Sequence, residues 1–120
     1  MSGKGAPITG GTDASGLDIV VIAATWHDEI TNGLIAGAER VLEASGASYR
    51  LMRVPGSFEL PVAAKVALDT GKAVGFGVLT LDDEQQGLDR AGLPGSKEDK
   101  GAEAADAAIR TALALRALRA

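Results

Sequence analysis

The chain has 120 residues, enough for one domain, and 46% of them are apolar against 23% charged, so a packed core is within reach and wholesale disorder is excluded. No cysteine is present, which rules out disulfide frameworks, zinc knuckles and thiol catalysis. A net charge of −4, from 12 basic and 16 acidic residues, leaves no basic stripe for phosphate neutralisation, so nucleic acid is not an expected partner. With no apolar run of bilayer length and no charged-then-apolar leader, the chain reads as a cytoplasmic protein without a membrane partner.

Residues 1–16 hold five of the 16 glycines and read as a flexible N-terminal arm, able to add to a neighbouring chain's sheet. Residues 17–120 then read as a single α/β domain. LDIVVIAAT, over 17–25, is β-branched and apolar, as suits a strand covered on both faces. Thr25 and Asp28 match a capping box for a helix carrying Ile30, Leu34, Ala38, Val41 and Leu42 at helical spacing, with Gly46 as its left-handed stop. Ser48–Val54 reads as a second strand, broken by Pro55-Gly56. Ser57 is the expected N-cap of a helix from Phe58 to about Leu68, with Pro61 in its first turn.

Residues 73–80 (AVGFGVLT) read as a third strand, weakened by Gly75 and Gly77. Thr80 and Asp83 match a second capping box, for a short helix to Gly92. Ser96 and Asp99 match a third, for a last helix with Ala105, Ile109, Ala112 and Leu113 along one stripe. The alternation predicts a parallel sheet flanked by helices, with ligands at the carboxyl ends of the strands, in the turns at 25–28, 55–59 and 80–84.

Each polar or aromatic group in those turns has a plain reading beside a chemical one. There is no Walker loop, G-x-G-x-x-G or H-E-x-x-H. Gly56-Ser57 sits where a nucleophile elbow would, but Pro55, with Val54 before it, breaks the G-x-S-x-G spacing, so an acyl hydrolase using Ser57 is remote and helix capping accounts for the serine. His27, the only histidine, reads first as a polar residue in a helix's opening turn and second as a general base. One histidine without cysteine makes no metal site. Asp82 and Asp83 are better read as helix caps than as magnesium ligands. Trp26, at a strand's carboxyl end, suits a platform for a flat heterocycle. Phe76 reads as either a core or an accessible ring. Glu59 complements a helix dipole or accepts hydrogen bonds from hydroxyls. Arg90 and Lys100 flank the 92–95 turn, as solvated charges or as a phosphate clamp.

With those residues in view, the chain resembles the lumazine synthases, in particular their actinobacterial members. IVVIAATWHDEITNGLIAGAERVLEASG (19–46), VPGSFELPVAAK (54–65), VALDTGKAVGFGVLT (66–80) and the run from Asp82 to Arg119 carry the likeness, with PGSFELP and EQQ-LDRAG…KG as its specific motifs. The resemblance implies a three-layer α/β/α fold with a parallel, flavodoxin-like sheet. It also implies a transferase of riboflavin biosynthesis that joins 5-amino-6-(D-ribitylamino)uracil to 3,4-dihydroxy-2-butanone 4-phosphate, with no cofactor and no metal.

By position, the resemblance makes Trp26 the aromatic stacked on the pyrimidinedione and Ser57, Phe58 and Glu59 the turn that binds this substrate. Phe76 becomes an aromatic lent by the adjacent subunit, and Arg90 and Lys100 the phosphate-binding residues. It implies a homo-oligomer, a pentamer rather than the higher shell some members form, with the last helix near the five-fold axis. Between Lys65 and Val66 the family carries a further segment of roughly forty residues, the size of a βαβ crossover. That segment holds a central strand, a phosphate loop and the general acid/base histidine, so the resemblance assigns no catalytic residue to this chain. Two explanations stay open: a stretch of the polypeptide missing from this sequence, or a true deletion with a smaller sheet. A catalytically impaired, oligomer-forming scaffold subunit is the alternative function.

Overall fold

The structure, a computed structural model, describes residues 12–72, 74 and 82–120. The expected third strand at 73–80, Phe76 and most of the N-terminal arm lie outside these residues. The described elements are β1 (Asp18–Ala24), α1 (Asp28–Ser45), β2 (Ser48–Val54), a 3-10 turn (Ser57–Glu59), α2 (Leu60–Asp69), α3 (Glu84–Arg90) and α4 (Lys100–Arg119). β1 and β2 pair in parallel from Asp18↔Ser48 to Ala24↔Val54. The architecture is therefore α/β, a parallel sheet with helices, as the alternation predicts.

α1 forms where apolar residues recur at helical spacing, and it buries Ile30, Ile35, Ala38 and Leu42. Gly46 ends it at φ 79°, a left-handed conformation that glycine adopts without a Cβ penalty. The core lies between β1, α1 and α4: Ala14, Ile19, Ala38, Leu42, Ala105 and Ile109 form one buried cluster, and Leu42 and Ile109 are fully enclosed. Side chains alternate along a strand, so Val20 faces away from Ile19, yet it is buried too, and α2 packs against the same strand.

The α1–α4 crossing is tight because small residues sit in it. A Cβ built on Gly101 would lie 2.6 Å from the Leu34 carbonyl carbon and would overlap the carbonyl oxygen. On Gly33 it would meet Ala91 O at 2.6 Å. Asp99 secures the same corner, accepting the Ala102 N–H at 3.0 Å as the N-cap of α4 and pairing with Arg40 at 2.6 Å.

The helix starts correct the expected caps. The N-cap of α1 is His27 in a left-handed conformation (φ 53°), not Thr25, whose hydroxyl is drawn off to the Pro55 carbonyl at 2.8 Å. Ser57 opens a 3-10 turn without capping anything, and α2 begins at Leu60 with Pro61 in its first turn. Asp83 itself caps α3 through the Gln86 N–H, and Thr80 lies outside the described residues. Ser96 does not cap α4; it receives the Leu93 N–H at 2.9 Å and gives its own proton to the Leu88 carbonyl.

Tyr49, partly buried against the core, places its hydroxyl 2.8 Å from Glu43 Oε1 and 3.0 Å from Glu39 Oε2. One phenolic proton faces two carboxylates. Hydrogen bonding to Glu43, then loss of solvent, then Glu39 raise the phenol far above its ordinary value of 10. The neutral phenol is favoured in the folded state, so its contribution to stability is complete below pH 10 and fades as pH climbs through the raised value. Tyr49 is the only tyrosine, so phenolate absorbance reports it alone. Ionisation well above pH 10 is expected in the folded protein, and a midpoint at 10 would mean the two carboxylates do not hold the hydroxyl.

Candidate active site at the strand ends

The carboxyl ends of β1 and β2 are register partners, Ala24 beside Val54, so the turns that follow begin side by side. This is the position at which open parallel sheets bind ligands. The Thr25 N–H and hydroxyl both reach the Pro55 carbonyl, at 3.4 and 2.8 Å. Arg53 Nη2 donates to the Ala24 carbonyl at 3.0 Å, and the Thr31 hydroxyl donates to the Trp26 carbonyl at 2.6 Å.

Trp26 emerges from this knot with 68% of its surface exposed, too open to serve as a core residue. Gly56 lies beneath its edge. A Cβ on Gly56 would be 3.2 Å from Glu59 Oε2 and 3.5 Å from Trp26 Nε1. The indole edge and the Glu59 carboxylate therefore converge over a backbone that carries no side chain. Such a rim offers a flat apolar face and a hydroxyl acceptor within one small space. Ser57 and Phe58 sit in the intervening turn, both on the surface, with Phe58 94% exposed.

Arg90 and Lys100 form a second group. The Ala91↔Asp99 bridge folds the end of α3 back to the start of α4. Lys100 Nζ lies 2.7 Å from Glu98 and 3.2 Å from Glu103, and its side chain is only 13% exposed. Burial pushes its pKa down, but the two carboxylates outweigh that and hold the ammonium above its ordinary range. Glu98 is held below the usual carboxylate range by its hydrogen bond to Lys100, with added attraction from Arg90. Glu98 is thus ion-paired to Lys100, with the charge of Arg90 also acting on it.

Of the expected site residues, the fold brings Trp26, Ser57, Phe58 and Glu59 to one rim and Arg90 and Lys100 to one corner. Phe76 lies outside the described residues. In sequence, Thr25 reads only as a helix cap and Gly56 as a strand break and turn glycine, and Thr31 and Arg53 have no part in the site; a glycine between a strand end and the Glu59 turn is the one signal that could have pointed to the floor of the rim. A separate open depression of about 450 Å³, lined by Thr12, Asp13, Ser15, Glu43 and Ser45 among others, lies at the amino end of β1, away from both groups. Among the described residues no helix is long and apolar enough to cross a membrane.

Comparison with known proteins gives a consistent answer. The sequence profile of 6,7-dimethyl-8-ribityllumazine synthase matches residues 16–68 and 64–116. The chain is 56% identical over 157 residues to the 6,7-dimethyl-8-ribityllumazine synthase of Leifsonia xyli subsp. xyli, covering 99% of each. It is 52% identical over 158 residues to that of Clavibacter sepedonicus, again with 99% of each covered. For the protein of Renibacterium salmoninarum the identity is 44% over 159 residues, with 97% and 100% covered. These alignments are longer than the 120 residues of this chain, so a block of each relative has no counterpart here. The two profile matches meet at 64–68, around the Lys65–Val66 junction.

Proposed function

Because this chain belongs to the 6,7-dimethyl-8-ribityllumazine synthase family, we propose that the rim of Trp26, Gly56 and Glu59 is where it receives its ribityl-pyrimidine substrate. The function is that of a transferase in riboflavin biosynthesis, joining 5-amino-6-(D-ribitylamino)uracil to 3,4-dihydroxy-2-butanone 4-phosphate to give 6,7-dimethyl-8-ribityllumazine. The amine adds to the ketone with loss of water, phosphate leaves, and a second dehydration closes the ring. Nothing in this sequence of steps needs a metal or an organic cofactor. The protein's part is to hold two reactants in register and to move protons.

The convergence of indole and carboxylate over Gly56 carries the reading. The indole suits the pyrimidinedione face, and Glu59 suits the ribityl hydroxyls, with Ser57 and Phe58 as neighbouring contacts. Arg90 binds the phosphate of the second substrate, with Lys100 beside it. Phe76 is proposed to act from an adjacent subunit, and the compartment is the cytoplasm. Calorimetric titration with 6,7-dimethyl-8-ribityllumazine tests the site. Trp26→Ala is expected to weaken binding by about 10–100-fold, the value of one lost stacking contact, without lowering thermal stability. Unchanged affinity in this variant would remove the indole from the site.

A homo-oligomer, specifically a pentamer, fits the surface: Phe58, Val62, Val66 and Leu118 are large apolar side chains left in solvent on the single chain. Sedimentation equilibrium should give a mass of five chains, and a much larger shell or a monomer would contradict it. A second reading has its own support in the block of the relatives that has no counterpart here. On that reading the chain is a scaffold subunit that assembles and binds but turns over poorly.

A further inference from the structure

We propose that Thr25, Thr31 and Arg53 are positioning residues that aim the Trp26 indole over Gly56, a role that rests on the substrate site proposed above. All three act through backbone carbonyls. Arg53 holds the carbonyl of Ala24, Thr31 that of Trp26, and Thr25 that of Pro55, at 3.0, 2.6 and 2.8 Å. The Ala24–Thr25 peptide is thereby tied to β2 and the Trp26–His27 peptide to α1, while the Thr25 side chain is tied to the turn leading into Gly56.

The backbone needs this restraint. His27, next in the chain, has φ 53° and ψ 66°, and it is the only non-glycine residue with positive φ among the described residues. Such a conformation is uncommon away from glycine and persists where its surroundings determine it. Thr31 supplies part of that determination twice, since its N–H also reaches the His27 carbonyl at 2.9 Å. The turn throws the indole outward, where no core packing holds it. Thr25 and Arg53 are themselves exposed and Thr31 only half-buried, so none of the three belongs to the core. Water would satisfy these carbonyls equally well, so the bonds add little to global stability. What they fix is direction, and stacking on a flat ring tolerates misplacement of only about 0.5 Å.

Trp26 is the only tryptophan, so its fluorescence reads this site and nothing else. The experiment compares Thr25→Val, Thr31→Val and Arg53→Met with the unsubstituted protein, and Thr25→Ser and Thr31→Ser as variants that keep the hydroxyl. Two quantities are measured: acrylamide quenching of Trp26 in the free protein, and calorimetric affinity for 6,7-dimethyl-8-ribityllumazine. Each valine variant and Arg53→Met should change the quenching constant and weaken binding about threefold to tenfold, with the thermal midpoint retained. Both serine variants should restore the original values.

Unchanged quenching and affinity in all three would overturn the proposal. So would an equal loss in the serine variants, or loss of the folded state, since either would place these residues in packing. If the unsubstituted protein fails to bind the lumazine, the substrate site is wrong. The quenching comparison alone then decides whether these residues position the indole.

Discussion

Replacing Gly101 with alanine is expected to lower stability by about 2–3 kcal/mol, even though alanine is the better helix former by about 1 kcal/mol. The added methyl would meet the Leu34 backbone, with the carbonyl carbon at 2.6 Å. No rotamer change relieves a collision with main chain, so α4 must lift off α1. That separates Ala105 and Ile109 from Ala38 and Leu42, the buried centre of the protein. A domain of this size has only about 5–15 kcal/mol in hand, and the loss corresponds to a fall of roughly 10 °C in the unfolding midpoint. Thermal unfolding followed by circular dichroism reads it directly. A neutral or stabilising result would mean that the helices do not cross this closely.

Lumazine formation by this chain is expected to run about 10²–10⁴-fold slower than by the Leifsonia xyli relative at equal subunit concentration. The range is what one positioned acid/base group contributes. By resemblance, the family's acid/base histidine belongs to the segment between Lys65 and Val66, and the only histidine here is His27, in the turn after Trp26. Holding both substrates together still accelerates their reaction, so a slow rate above the uncatalysed background is anticipated. Product absorbance in side-by-side assays measures the ratio. Equal rates would show that proton transfer in this protein does not depend on that segment.

Much of the fold is legible in the sequence because the signals are local. β2 has the expected bounds, and β1 is one residue shorter at each end than its apolar run. The 3.6 period of α1 and the glycine after it leave little freedom about where that helix lies or stops. The caps were less legible, for a reason these residues show. Thr25, Ser57 and Ser96 each stand where a capping hydroxyl belongs, but an N-cap pattern does not reveal a competing acceptor. Thr25 is claimed by Pro55, 30 residues away, and Ser96 by Leu88, on the preceding helix.

The same limit applies to the site. Trp26 and Glu59 are visible by type and by their place after strands. Gly56 looks like any turn glycine until the rim is folded around it. Arg53 looks like a surface charge until its partner, 29 residues earlier, is known.

The two largest fully enclosed side chains among the described residues, Leu42 and Ile109, come from α1 and α4, elements far apart in the chain. No nascent fragment ending before α4 can close this centre. Until α4 docks, β1, α1 and β2 hold their oily faces open, and the lock turns only when Ile109 meets Leu42. A chaperone suited to this protein would shield the apolar face of α1 until α4 arrives to cover it.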